Sequence, residues 1–253
     1  MKRLITTLAA GAAAIAMMGQ ASAKVQPPAP SDDPGAVHSY ILLDRTGSMS
    51  DIWDEALSSV NAYAASVGEA DEGEIDGSDI ETDVTLAIFD YQDGMQFDVL
   101  RKNVKAEDWS NVTNDEANPR GMTPLFDAIG RMISLAETDN PEKAVIVIMT
   151  DGLENSSSEL TKDGAKAALD RAEAKGWEVV FLGAEFAKFD DAEAVGVSAS
   201  KSMAVGQGSM QDSMSRLAKK SRAYGKGEEA EIEFNDEDRA IADEEGVKER
   251  QGQ

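Results

Sequence analysis

The chain has 253 residues, 48 of them Asp or Glu and 24 Lys or Arg, for a formal net charge of −24, and it contains no cysteine. The missing thiols exclude disulfides and thiolate metal sites, so stability has to come from a packed core, which a chain of this length can build. A field this negative repels phosphate backbones and anionic lipid, which argues against nucleic-acid binding and membrane-surface binding.

At the start, Lys2 and Arg3 precede an apolar run over residues 4–18, closed by Ala21-Ser22-Ala23. A basic start, a short apolar stretch and an Ala-x-Ala end describe a cleavable secretory signal over residues 1–23. The run is shorter than the about 20 residues a membrane span needs, and no Cys follows that could carry a lipid. The mature chain is therefore expected outside the cytoplasm, in the periplasm or the medium. Residues 24–35 contain Pro27, Pro28, Pro30 and Pro34 and read as an extended linker.

Residues 37–43 form the first expected strand. It runs into Asp44-Arg45-Thr46-Gly47-Ser48-Met49, where an oxygen-bearing side chain falls at every second position. The pattern turns helical from Asp51, which puts Asp44, Thr46 and Ser48 on the loop between a strand's carboxyl end and a helix, where open parallel sheets bind ligands. One carboxylate with two hydroxyls is oxygen-only ligation, suited to hard cations such as Mg²⁺ or Mn²⁺. His38, the single histidine, has no Cys or second His near it and receives no metal or catalytic role.

Apolar residues from Ile52 to Val67 recur at helical spacing, which predicts a helix over 51–67. The acidic stretch 69–81 lacks the alternating Asp/Asn series and closing Glu of an EF-hand and reads as a solvated connection. Residues 83–91 are a second strand, Asp93-Gly94 a hairpin turn, and 96–100 a short antiparallel edge strand. The polar stretch 103–120 leads into Gly121-Met122-Thr123-Pro124, with Thr123 as N-cap and Pro124 in the first turn of the next helix. Residues 144–149 form a doubly buried central strand ending at Thr150-Asp151-Gly152. A helix over 160–175 is closed by Gly176. A strand over 178–182, a short helix over 190–195, an edge strand within 198–205 and a closing helix over 209–224 follow. Strand–helix alternation predicts one doubly wound α/β domain over 36–224, its sheet mainly parallel with one antiparallel edge strand and helices on both faces. The acidic tail 225–253 is expected to be largely mobile, with a short extended piece and a capped helix.

Asp44-x-Thr46-x-Ser48 followed by Met49 resembles the metal-ion-dependent adhesion site of von Willebrand factor type A domains, usually Asp-x-Ser-x-Ser. Thr46 departs from that pattern by one methyl group and keeps the hydroxyl. The family completes its site with a Thr on a later loop and an Asp after a later strand, and Thr123 and Asp151 match these in order. The resemblance spans residues 36–224 and implies a Rossmann-like fold with Mg²⁺ (or Mn²⁺) held by Asp44, Thr46, Ser48, Thr123 and Asp151. In the family pattern Thr46 and Ser48 bind directly, Thr123 directly or through water, and the two Asp side chains largely through water. An open coordination position then takes a carboxylate from a protein partner. The resemblance thus implies an exported, monomeric binding module rather than an enzyme. The negative field opposes such a partner unless it is locally neutral or docks at high salt.

Two rival readings have distinct signatures. Asp44 as the nucleophile of a haloacid-dehalogenase-like phosphohydrolase needs a second Asp two residues on as acid/base, and position 46 is Thr. No Ser/His pair, phosphate-binding Gly-Lys loop or Cys/His site offers another catalytic route. An acidic scaffold binding through its tail or edge strand, without a metal, would lose its partner on deletion of 225–253 and keep it in Asp44→Ala.

Overall fold

The strand β1 (Val37–Asp44) is buried along its whole length, the signature of a central strand covered on both faces. This computed structural model describes residues 36–69, 80–186 and 188–252. The signal-like segment, the proline-rich linker and most of the acidic connection between 69 and 81 lie outside them. β1 pairs in parallel with β2 (Thr82–Tyr91) on one side and β4 (Lys143–Thr150) on the other. β5 (Glu178–Ala184) and β6 (Ser202–Val205) continue the parallel sheet, and β3 (Met95–Lys105) pairs antiparallel with β2. The six-stranded order is β3-β2-β1-β4-β5-β6. The fold is therefore the expected doubly wound α/β sheet with one antiparallel edge strand.

Alternation along each strand feeds two cores. Ile41, Leu43, Val147 and Leu182 face α1 (Trp53–Val67) and α5 (Met210–Lys226), whose Val60, Tyr63, Met214 and Leu217 complete that layer. Tyr40, Leu42, Ile148 and Phe181 face the other way, onto α2 (Leu125–Asp139) and α3 (Lys162–Ala174). Gly176 closes α3 at φ +79°, as its position after Lys175 predicts.

Three segments differ from expectation. β3 extends to Lys105, well beyond residue 100, because an edge strand tolerates charges such as half-buried Arg101 and exposed Lys102 and Lys105. Thr123 is not the cap of α2: Pro124 occupies that position without a side-chain cap bond, and α2 begins at Leu125. The tail, expected to be largely mobile, is instead built onto the β6 side of the domain. Ile232 and Phe234 are buried in the α1/α5 core, ahead of α6 (Asp236–Ile241) and α7 (Glu244–Gln251). The Ile232 amide donates to Glu178 (2.9 Å), Gly206 donates to the Ala242 carbonyl (2.7 Å), and Val247 packs on Ala204. Acidic composition misleads here because Asp238 is neutralised by Arg216 and Lys220 of α5, at 2.9 and 3.1 Å. Short α4 (Asp190–Ala194) precedes β6.

Gly183, near the end of β5, is a place where only hydrogen fits. A Cβ there would lie 2.0 Å from the Phe186 carbonyl oxygen, a backbone atom that cannot rotate away. Gly183→Ala is expected to lower the unfolding free energy by about 1–3 kcal/mol, the usual cost of forcing backbone to move. Urea unfolding followed by circular dichroism reads this as a lower midpoint.

Candidate metal centre

In sheet order the chain turns back between β1 and β4: β2 and β3 lie on one side of β1, and β4 to β6 on the other. Such a reversal leaves a crevice at the carboxyl ends of the two strands. Asp44 is the last residue of β1, and Thr150 the last of β4. Side chains that are 106 residues apart in sequence therefore meet: Thr150 Oγ1 donates to Asp44 Oδ2 at 2.6 Å. The Thr46 amide donates to Asp44 Oδ1 at 2.7 Å, folding the loop over the carboxylate. A 3₁₀ turn over Gly47–Asp51 then leads to α1.

All five side chains singled out in the sequence come together. Thr46 Oγ1 and Ser48 Oγ are 3.1 Å apart, and Ser48 Oγ donates to Asp151 Oδ1 at 2.7 Å. Thr123 Oγ1 reaches Thr46 Oγ1 at 3.4 Å. A Cβ on Gly152 would stand 3.8 Å from Thr123 Oγ1 and 3.9 Å from Ser48 Oγ, so its absence keeps that flank open. Asp44, Thr46 and Thr123 are buried, whereas Ser48 is exposed and Asp151 half-buried. The cluster thus has a buried floor and an open rim.

Its electrostatics suit a cation. Burial pushes the Asp44 carboxyl from the ordinary 3.8 up to about 7; the Thr150 and Thr46 hydrogen bonds oppose that rise and the neighbouring Asp151 charge adds to it. Burial also raises the Asp151 carboxyl, against the Ser48 hydrogen bond. The hydrogen-bond partners of both are hydroxyls and backbone amides rather than Lys or Arg. Two desolvated carboxylates that form no salt bridge among the described residues, beside three convergent hydroxyls, fit a hard oxygen-seeking dication. Among the described residues no three His, Cys, Asp or Glu side chains gather to hold an ion alone. Hydroxyls supply three of the five donors here.

Sequence reasoning missed the residues that hold these loops. Asn155 clamps Thr123 on both sides: its Oδ1 accepts from the Thr123 amide (2.8 Å), and its own amide donates to the Thr123 carbonyl (3.0 Å). Glu154 takes the capping role expected of Thr123, accepting from the Phe126 amide at 2.9 Å. Asp127 answers from α2, accepting from the amides of Ser158, Glu159 and Leu160 at 2.8, 3.0 and 2.6 Å. Arg45, inside the first motif, is buried against Asp90 and reaches Asp98 at 2.6 Å, while Arg120 joins Asp90 at 3.1 Å. The Arg120 amide donates to the Arg45 carbonyl (2.8 Å), tying the Thr123 loop to the Asp44 loop. An acidic residue followed by Ser or Asn after a strand is too common a pattern to reveal such partners.

Ser48 and Asp151 also line a cleft of about 530 Å³, walled further by Asp51, Glu185, Gln207 and Arg250. Arg250 comes from α7 and pairs with Glu185 at 2.9 Å. Among the described residues no helix is long and apolar enough to cross a membrane.

No protein-family model matches this chain, and no curated protein matches it. Solved structures do resemble it. The pilus adhesin SpaC from Lactobacillus rhamnosus GG in its open conformation aligns at 15% identity with a TM-score of 0.55, over 74% of this chain and 30% of that one. The vWF domain of the type V pili tip protein Mfa5 from Porphyromonas gingivalis aligns at 11% identity and TM-score 0.52, over 73% of this chain and 94% of that domain. Manganese-loaded TRAP protein from Plasmodium vivax aligns at 15% identity and TM-score 0.51, over 70% of each chain. The chain spans under half the length of SpaC and of proximal thread matrix protein 1 from the mussel byssus, 30% and 46%. At these identities the likeness is one of fold: a sheet and helix arrangement like that of von Willebrand factor type A domains.

Proposed function

We propose that this chain is an exported binding module that holds Mg²⁺ (or Mn²⁺) between Asp44, Thr46, Ser48, Thr123 and Asp151 and uses it to take an acidic group of a protein partner. The observation that carries this reading is the convergence of five oxygen-bearing side chains from three separate loops on one half-open crevice, with two carboxylates whose hydrogen-bond partners are hydroxyls and backbone amides. When bound, the cation supplies a Lewis-acidic coordination position toward solvent. Thr46 and Ser48 offer hydroxyl oxygens to it, and Thr123 closes the third side. Asp44 orients the first loop through the Thr46 amide, and Asp151 holds Ser48.

Export is supported by the signal-like pattern of residues 1–23 and by structural neighbours named as a pilus adhesin, a pilus tip protein and a byssus matrix protein. The metal is supported by a manganese-loaded neighbour as well as by the donor set. Structural neighbours named as a pilus adhesin and a pilus tip protein favour a binding role over a catalytic one.

Isothermal titration of the chelator-treated protein with Mg²⁺ is expected to show one site. Adding Mg²⁺ or Mn²⁺ is expected to raise the melting temperature, because a ligand of the native state alone stabilises by RT ln(1 + [L]/Kd), about 2.7 kcal/mol at a hundredfold excess over Kd. No heat and no thermal shift at millimolar metal would remove the reading.

A further inference from the structure

Resting on the metal reading above, we propose that the crevice selects an acidic residue carried by a basic segment with an aliphatic neighbour, and that the 530 Å³ cleft beside Ser48 and Asp151 receives the basic part. Two features of the site carry this.

On the cleft side the walls are charged. With Asp151 assigned to the cation, Asp51 and Glu185 remain against the single guanidinium of Arg250. Arg250 is itself shared between Glu185 (2.9 Å) and Asp243 (3.2 Å), so it is poorly placed to welcome a further carboxylate. A second acidic group entering there meets net negative walls inside a protein of formal charge −24. A Lys or Arg side chain meets complementary ones. An acid-rich partner is thus repelled twice, by the local walls and by the whole surface, whereas a basic partner bearing one acid is steered in and then anchored by that acid.

The loops that carry Thr123 and Asp151 also expose aliphatic side chains. Met122 and Leu153 are 50% and 40% exposed, two of three large hydrophobic residues so exposed among the described ones. One immediately precedes Thr123, and the other stands two residues after Asp151. The paired bonds between Thr123 and Asn155 bring their loops side by side. A chain with 28% charged residues thus exposes aliphatic side chains within two residues of two of the proposed ligands. An aliphatic side chain next to the partner's acid would be covered there without adding charge. The partner chemistry is therefore one acid, an aliphatic neighbour and nearby positive charge.

The test uses three synthetic nine-residue peptides, each with a central Glu flanked by Leu, whose other positions include four Lys, four Ser or four Glu. Fluorescence anisotropy against the full chain in saturating Mg²⁺ is expected to rank them Lys, then Ser, then Glu, with the Lys peptide at least tenfold tighter than the Ser peptide. That preference should shrink as salt rises and vanish with chelator or when the central Glu becomes Gln. In Asp51→Asn/Glu185→Gln the Lys-over-Ser ratio is expected to fall to about twofold while Mg²⁺ titration stays within threefold of the parent. Replacing the flanking Leu by Gly should weaken the Lys peptide severalfold in the parent and have little effect in Met122→Ser/Leu153→Ser. Equal binding of the Lys and Ser peptides by a protein that takes up Mg²⁺ normally overturns the inference and leaves the metal reading intact. Lys-peptide binding that survives chelator assigns the preference to the general negative field and also overturns it. Failure of Mg²⁺ to bind the parent at all removes both.

Discussion

Asp44→Asn is expected to lose Mg²⁺ about 10–100-fold, the range for groups that hold metal ligands in place, and to leave the metal-free protein at least as stable as the parent near neutral pH. The two halves have one cause. In the metal-free fold the Asp44 carboxyl is buried, with its pKa pushed up to about 7 from 3.8. Below about pH 4 it is neutral in both folded and unfolded chains and contributes nothing to pH dependence. Between pH 4 and 7 the unfolded chain ionises while the folded one resists, so stability falls as pH rises. The loss reaches about 4 kcal/mol at about 1.4 kcal/mol per pH unit and flattens above pH 7. Asn carries no charge and escapes this slope, while its amide oxygen can still accept from the Thr46 amide. Mg²⁺ should flatten the slope in the parent by favouring the ionised carboxylate. Thermal melts from pH 4 to 8, with and without Mg²⁺, check all three statements. A parent whose chelated form grows more stable from pH 4 to 7 while Asp44→Asn does not would contradict the electrostatic account.

Asp127→Ala is expected to cost about 3 kcal/mol of folding stability. Its carboxylate is 1% exposed and accepts the amides of Ser158, Glu159 and Leu160. Bonds to a charged acceptor contribute about 1.5–3 kcal/mol each, and water can reach part of the vacated loop and recover some of the loss. Asp127→Asn keeps a carbonyl acceptor and should lose roughly half as much. Urea midpoints with unchanged m-values read these differences as stability. Loosening residues 153–160 also frees Asn155 from its clamp on Thr123. Mg²⁺ affinity should therefore fall in Asp127→Ala although no proposed ligand is altered. Unchanged metal affinity in a destabilised protein would show that the loop's position does not depend on this anchor.

Much of the fold was legible because periodicity reports burial. The apolar run 144–149 and the helical stripe after Asp51 could be satisfied only by a central strand and a one-sided helix, and β4 and α1 are these elements. The boundaries that slipped were set by tertiary neighbours. Thr123 has the local chemistry of a helix cap, yet Glu154 from the next loop serves α2's amides and leaves the Thr123 hydroxyl facing Thr46. Residues 225–253 have the composition of a solvated tail, yet Arg216 and Lys220 on α5 and the exposed end of the sheet gave their charges and apolar residues somewhere to go.

Which residue types could serve a hard cation, and on which loops, was readable from order and spacing, since strand ends and oxygen-bearing side chains are local properties. That Asp44 should sit beside Thr150, that Arg45 should be buried against Asp90, and that α7 should bring Arg250 to the wall of the cleft were decided by sheet order and chain return. Those contacts join positions dozens to more than a hundred residues apart, and no local pattern carries the energy of a meeting that exists only once the sheet has closed.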